Sequence, residues 1–196
     1  MKILIFGSNG WIGSQFIDLL KENKIEYVES QCRANNINNV RSEIDELKPS
    51  HVVSFIGRTH GSLDDKYYST IDYLEQKGKL KENIRDNLFS PLLLSNVCKE
   101  FGCHFTYLGT GCIFNYDNIH IFGQDKIGFS EEDEANFFGS SYSIVKGYTE
   151  QLLKYNDNTL ILRIRMPINN QINPRNFITK LLNYDKICSI PNSMSV

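Results

Sequence analysis

The chain has 196 residues, 41% of them hydrophobic and 22% charged, the balance of a globular protein with room for one domain at about 150 residues each. A formal net charge of −2 and a pI near 6.1 argue against nucleic acid as the main partner, because counterion-driven binding needs a concentrated basic surface. No apolar run approaches the roughly 18 residues of a membrane span, and the opening run is too short before Gly7 for a secretory core, so a cytoplasmic protein is expected.

Residues 1–6 form an apolar run closed by Gly7, and Trp11, Ile12, Phe16, Ile17, Leu19 and Leu20 follow at helical spacing. The chain therefore opens as strand, glycine turn and helix. Residues 24–29 read as a second strand and 32–40, with four asparagines, as a loop. Helical spacing over 40–48 stops at Pro49, and 51–56 is a buried strand ending at Gly57. A polar, tyrosine-rich excursion covers 63–73. A long helix over 80–100 carries Ile84, Leu88, Leu92, Leu93 and Val97, and Pro91 should bend it or mark a functional surface.

Residues 104–108 form another strand, with Gly109, Thr110 and Gly111 at its carboxyl end. The segment 115–138 is irregular, and its acidic run, Glu131, Glu132, Asp133 and Glu134, reads as a solvated loop. A helix over 141–155 and a strand over 159–164 follow. Strands alternating with helices predict an α/β fold, a doubly wound parallel sheet covered on both faces.

Five cysteines, Cys32, Cys98, Cys103, Cys112 and Cys188, form neither a CxxC pair nor a zinc-ligand pattern and read as reduced thiols. Cys98, Cys103 and His104 are close in sequence, but a helix end entering a buried strand is a place for cysteine as a small hydrophobe, so no metal is expected.

Gly7-Ser8-Asn9-Gly10-Trp11-Ile12-Gly13 fits GxxGxxG directly after a strand and at the start of a helix. The first glycine permits the tight turn, the second lets backbone approach a pyrophosphate, and the third lets helix pack on strand. Gly7, Asn9, Gly10, Trp11 and Ile12 are the expected cofactor contacts. A carboxylate after the second strand favours NAD(H) and an arginine there favours NADP(H). The chain has both, Glu29 and Arg33. The position of Arg33 just beyond the strand tilts the expectation to NADP(H).

Tyr142 and Lys146 stand four apart in a predicted helix and project from one face. Thr110 sits at a strand's carboxyl end, where ligands collect in open parallel sheets. Reduction of a ketone needs a proton donor, and free tyrosine, with a pKa near 10, is a weak one. A lysine ammonium about 4 Å away supplies up to roughly 4 kcal/mol at an effective dielectric near 20, about three pKa units, which should bring Tyr142 near neutrality.

With these motifs in this order, the chain resembles the extended short-chain dehydrogenase/reductases. Within them, Thr110-Gly111-Cys112-Ile113-Phe114, Gly128-Phe129-Ser130-Glu131-Glu132-Asp133, Arg163-Ile164-Arg165-Met166-Pro167-Ile168, Asn173-Pro174-Arg175-Asn176-Phe177-Ile178-Thr179-Lys180 and Ile190-Pro191-Asn192-Ser193-Met194 are similar to the bifunctional UDP-4-keto-6-deoxyglucose 3,5-epimerase/4-reductases of nucleotide-rhamnose synthesis. The amino-terminal half is similar more loosely, through the glycine turn, Arg33, Gly57 and Asn87, with an apparent insertion around 63–69.

The resemblance implies a Rossmann domain over residues 1–165 and the start of a substrate-binding region over 166–196. Gly57 and Asn87 would join the cofactor site, and Lys146 would also bind the nicotinamide ribose. Thr110 would hold the C4 oxygen of the sugar, Tyr142 would protonate it, and Cys112 and Lys180 would be the acid and base that invert C3 and C5. Arg175 and Asn176 are implied contacts of the nucleotide-sugar diphosphate and base. The implied substrate is UDP-4-keto-6-deoxyglucose, the product UDP-L-rhamnose, and a homodimer a candidate assembly. Such enzymes usually run on for roughly another 90 to 130 residues, so the substrate lobe is expected to be incomplete here. Two rivals stand beside this reading. A reductase alone, similar to dTDP-4-dehydrorhamnose reductase, typically has a bulky tyrosine in place of Cys112. A non-catalytic dinucleotide-binding regulatory subunit would be expected to lose Tyr142 or Lys146.

Overall fold

A computed structural model describes residues 1–123 and 127–187. Cys188 and the motif at 190–194 lie outside the described residues. The chain forms β1 (Lys2–Phe6), α1 (Trp11–Glu22), β2 (Glu26–Glu29), α2 (Ile37–Leu47), β3 (His51–Ser54), β4 (Gly61–Leu63), β5 (Lys66–Tyr68), α3 (Leu80–Ile84), α4 (Ser90–Phe101), β6 (His104–Thr110), α5 (Ser141–Leu153), β7 (Thr159–Ile164) and α6 (Phe177–Leu182). Five strands form one sheet in the order β2-β1-β3-β6-β7, every neighbouring pair parallel. Among the described residues no helix is long and apolar enough to cross a membrane.

Alternation along β1 divides the core. Ile3 and Ile5 pack with Ile17 and Leu20 of α1 on one face. Leu4 and Phe6 pack on the other with Val40 and Ile44 of α2, Leu94 and Val97 of α4 and Leu153 of α5. A strand buried on both faces must be apolar along its buried length, which is why Ile3, Leu4, Ile5 and Phe6 follow one another without a polar residue, and Lys2 falls at the half-buried start. The architecture is the doubly wound, Rossmann-like sheet expected.

Three local features depart from expectation, and a fourth falls where Pro91 is expected to disturb its helix. α2 begins three residues before the first expected position, because Asn36 caps it by accepting from the Asn39 amide. β6 runs on to Thr110, so that residue is strand, paired in register with Ile164. The excursion after β3 is structured: β4 and β5 form an antiparallel hairpin, followed by a 3-10 turn at Ile71–Tyr73. The helix over 80–100 is divided by a π turn at Arg85–Phe89, directly before Pro91. Pro91 has no amide hydrogen for the carbonyl of Asn87, four residues back. That carbonyl lies 2.7 Å from Thr149 Oγ1 on α5, whose one hydrogen it shares with the Val145 carbonyl, also at 2.7 Å, and Ser90 Oγ donates to the Arg85 carbonyl at 2.8 Å.

The connection from β6 to α5 is pinned from β7. The Arg163 guanidinium pairs with Glu150 of α5, donates to the carbonyls of Ser130 (2.6 Å) and Asp133 (3.0 Å), and lies over the ring of Phe114. Phe114 stacks on Phe129, and Phe129 on His120. Glu131, Glu132 and Glu134 are exposed as expected of a solvated run, while Asp133 accepts from the Ser130 amide and hydroxyl. Cys98 and Cys103 are buried, and the Cys103 thiol donates to the Pro49 carbonyl.

Candidate active site

The carboxyl ends of β1, β3 and β6 open on one edge of the sheet. After β1, Gly7 takes a φ of +80°, and a Cβ on Gly13 would come within 2.4 Å of the Gly7 carbonyl oxygen, so neither position admits a side chain. α1 starts at Gly10 without a side-chain cap, whereas Asn36, Ser140 and Asn176 cap α2, α5 and α6. The first-turn amides of α1 are thus left for an anion, and the turn fits a dinucleotide pyrophosphate. Asn9 and Gly10 are exposed at this turn, and Trp11 and Ile12 half-buried. Arg33 is exposed in the loop after β2, and among the described residues it forms no ion pair. That loop is held by Glu43 of α2, which accepts from Ser30 Oγ at 2.6 Å and from the Gln31 amide at 3.0 Å.

Gly57, after β3, faces Asn87 of the π turn: a Cβ there would lie 3.5 Å from Asn87 Oδ1. Asn87 is fully buried. Its amide donates to the Arg58 carbonyl and to Asn83 Oδ1, and its own Oδ1 has no partner among the described residues. A buried acceptor without a donor is costly, and one beside a glycine fits a site completed by a ligand.

At the end of β6, Thr110, Cys112 and Tyr142 come together. Thr110 Oγ1 accepts from the Cys112 amide at 3.1 Å, and the Cys112 carbonyl accepts from Ser143 Oγ at 2.7 Å. Tyr142 packs with Tyr73 and Leu74 of the excursion, and Cys112 lies against the same cluster. Burial pushes the Tyr142 phenol up to about 12; Cys112 adds to this and the Thr110 hydroxyl opposes it. The expected descent toward neutrality does not occur. Lys146 points elsewhere, donating to the Leu108 carbonyl at 2.9 Å and lying 4.2 Å from the centre of the Tyr107 ring. Burial lowers Lys146 itself to about 7, against the pull of Glu150. A desolvated lysine is a weak source of positive charge for its neighbour.

The implied substrate contacts are divided. Arg175 is exposed, and its guanidinium lies 2.7 and 3.0 Å from the two ring nitrogens of His60. Burial, then Arg175 and Arg58, lower the His60 pKa and favour the neutral ring that such a partner requires. Asn176, by contrast, is 2% exposed. Its Oδ1 accepts from the Ile178 amide, and its Nδ2 donates to acceptors on Asn169 and Gln171, which gives it a structural task rather than a free face for substrate. Lys180 is half-buried on α6, and no hydrogen bond joins it to Cys112 among the described residues. No group of three or more potential metal ligands occurs among them either. Sequence reasoning missed Glu75, Asn83 and His60. Glu75 and His60 lie within three residues of the polar excursion and Asn83 lies on α3, with no motif around any of them.

The sequence matches the RmlD substrate binding domain over residues 1–187. It is 55% identical to protein L780 of Acanthamoeba polyphaga mimivirus, over all of this chain and 66% of that one. The crystal structure of the L780 UDP-rhamnose synthase superposes with a TM-score of 0.90, covering 100% of this chain and 67% of that chain. A bifunctional dTDP-4-dehydrorhamnose 3,5-epimerase/reductase of Arabidopsis thaliana is 40% identical over 100% of this chain and 62% of its own length. The dTDP-4-dehydrorhamnose reductase of Bacillus anthracis, solved with NADP, shares the fold at 17% identity and a TM-score of 0.64, over 83% of this chain and 52% of that one. The chain spans about two thirds or less of the length of these relatives. With a family match over nearly its whole length, the chain belongs to the RmlD substrate binding domain family.

Proposed function

We propose that this chain performs the 3,5-epimerisation and NADP(H)-dependent 4-keto reduction that convert UDP-4-keto-6-deoxyglucose to UDP-L-rhamnose. The observation that carries this reading is the junction of Thr110, Cys112 and Tyr142, which puts a thiol and a protonated phenol beside one strand end. A reductase alone needs only the phenol. The likeness to L780 and to the Arabidopsis epimerase/reductase supports the same reading.

In this reading Thr110 orients the C4 oxygen of the sugar and Tyr142 protonates it. A phenol kept protonated well above pH 7 is in the donor form throughout the physiological range. NADPH, when bound, supplies the hydride for C4. The glycine turn and the uncapped start of α1 take its pyrophosphate, Gly57 and Asn87 border its path, and Arg33 takes the 2′-phosphate. Lys146, whose ammonium rests on the Leu108 carbonyl, would have to turn from it to bind the nicotinamide ribose. For epimerisation the C4 ketone acidifies the hydrogens at C3 and C5. Cys112 and Lys180 form the acid and base on opposite sides of the ring, one removing a proton and the other returning it. Arg175 binds the diphosphate. Residues 1–165 form the cofactor domain, and residues 166–196 belong to the substrate-binding region.

The test supplies UDP-4-keto-6-deoxyglucose in deuterated water, with and without NADPH, and follows the sugar by NMR. Deuterium at C3 and C5 without cofactor, and a 4-hydroxyl sugar with it, is the expected result. Reduction of a separately epimerised ketone with no such exchange overturns the epimerase and leaves a reductase.

A further inference from the structure

The carboxylate of Glu75 sits on the first turn of the helix that carries Tyr142 and Lys146. Its Oε2 accepts from the Ser141 amide at 2.9 Å, and its Oε1 from the Tyr142 amide at 3.1 Å and from Ser141 Oγ at 3.0 Å. The ordinary capping task at this terminus is already done by Ser140, whose hydroxyl accepts from the Ser143 amide. Glu75 therefore takes the first-turn amides that Ser140 leaves over, and one of them belongs to Tyr142. An anion at a helix start is also favoured by the helix dipole.

Glu75 reaches this place from 66 residues away, at the end of the excursion. The residues just before it hold the other end of the same tyrosine: Tyr73 and Leu74 are buried against Tyr142, and the Leu74 carbonyl, 3.3 Å from Ser141 Oγ, shares that hydroxyl's one hydrogen with Glu75. Backbone and ring of Tyr142 are thus gripped by three consecutive residues. The side chain of Glu75 is itself exposed, so core packing does not account for it.

We propose that Glu75 is a positioning residue for Tyr142. It fixes the turn of α5 on which the tyrosine rides, and with it the place of the phenol hydroxyl beside Thr110. This rests on the reading of Tyr142 as the proton donor for the C4 oxygen.

The experiment compares Glu75→Ala, Glu75→Gln and Tyr142→Phe with the parent chain. It measures kcat and KM for the epimerised 4-keto sugar nucleotide with NADPH, and amide hydrogen exchange over residues 141–146. Glu75→Ala is expected to speed exchange there and to lower kcat by about tenfold to a hundredfold, the scale of a displaced catalytic group, with KM within about twofold of the parent. Glu75→Gln keeps an acceptor oxygen and should recover part of kcat and part of the protection. A Glu75→Ala kcat within twofold of the parent, while Tyr142→Phe is inactive, overturns the proposal alone. So does a loss confined to KM, or a glutamine variant that regains protection but no kcat. If Tyr142→Phe keeps the parental kcat, the reading of Tyr142 as donor fails and takes this proposal with it.

Discussion

Tyr142 and Lys146 share one face of α5 but keep different company, and burial drives their acidities in opposite directions. The phenol, beside Thr110 and Cys112, rises to about 12, and the ammonium, between the Leu108 carbonyl and the Tyr107 ring, falls to about 7. Between pH 7 and 10.5 the unfolded chain holds a proton on this lysine that the folded chain has released. Stability from this group therefore rises with pH across that window, and the buried charge is most costly below pH 7. The difference is on the order of 5 kcal/mol. Lys146→Met should accordingly be more stable than the parent at pH 6, by an amount that shrinks toward pH 10. Urea unfolding at both values measures this, and a constant difference across pH would refute it. Cys112 carries a separate expectation, since its thiol is assigned to proton transfer at carbon and not to hydride acceptance at C4. Cys112→Ala should abolish deuterium exchange at C3 and C5 while reduction of the pre-epimerised ketone persists. Exchange at the native rate in that variant would remove the thiol from the chemistry.

The π turn at Arg85–Phe89 holds Asn87 behind Gly57, and it persists because two side chains satisfy the carbonyls it frees. Thr149→Val leaves the Asn87 carbonyl without its donor inside the protein and should cost about 1–3 kcal/mol, while Thr149→Ser should restore most of it. Equal urea midpoints for valine and serine variants would show that the hydroxyl contributes nothing. Pro91 made an interruption legible in the sequence, but the partner lies on another helix, 62 residues away, and no local pattern pointed to it. The same distinction runs through the molecule. The glycine turn and the Tyr142 and Lys146 spacing were readable because turn geometry and helical period act over a few residues. The acidity of Tyr142 was not, because it depends on what covers the ring, and Tyr73, Leu74 and Cys112 reach it from elsewhere in the chain. The described residues of the segment 115–138 are irregular, as the sequence predicts, but the hold on Ser130 and Asp133 was not legible, because it comes from Arg163 on β7.

Across the whole molecule, the amino-terminal turn and the carboxyl-terminal segment are joined by side-chain amides. Gln15 Nε2 donates to the Trp11 carbonyl at 2.8 Å, and Gln15 Oε1 accepts from Asn169 Nδ2 at 2.7 Å, across 154 residues of sequence. Asn169 in turn accepts from the buried amide of Asn176, which caps the helix carrying Lys180. A helix of six residues has little stability of its own, so α6 depends on such tethers for its place. Asn169→Ala removes the link to Gln15 and one acceptor of Asn176, but leaves the sheet and its core untouched. Hydrogen exchange over residues 166–187 should therefore quicken while protection of β1, β3 and β6 is kept. Because Lys180 is assigned to epimerisation and not to reduction, deuterium incorporation at C3 and C5 should fall more steeply than reduction of the epimerised ketone. If both activities fall equally, the segment serves substrate binding in general. If exchange over 166–187 stays at the parental rate, the amide chain does not hold α6, and the joining of the two ends lies with Arg175 and His60 instead.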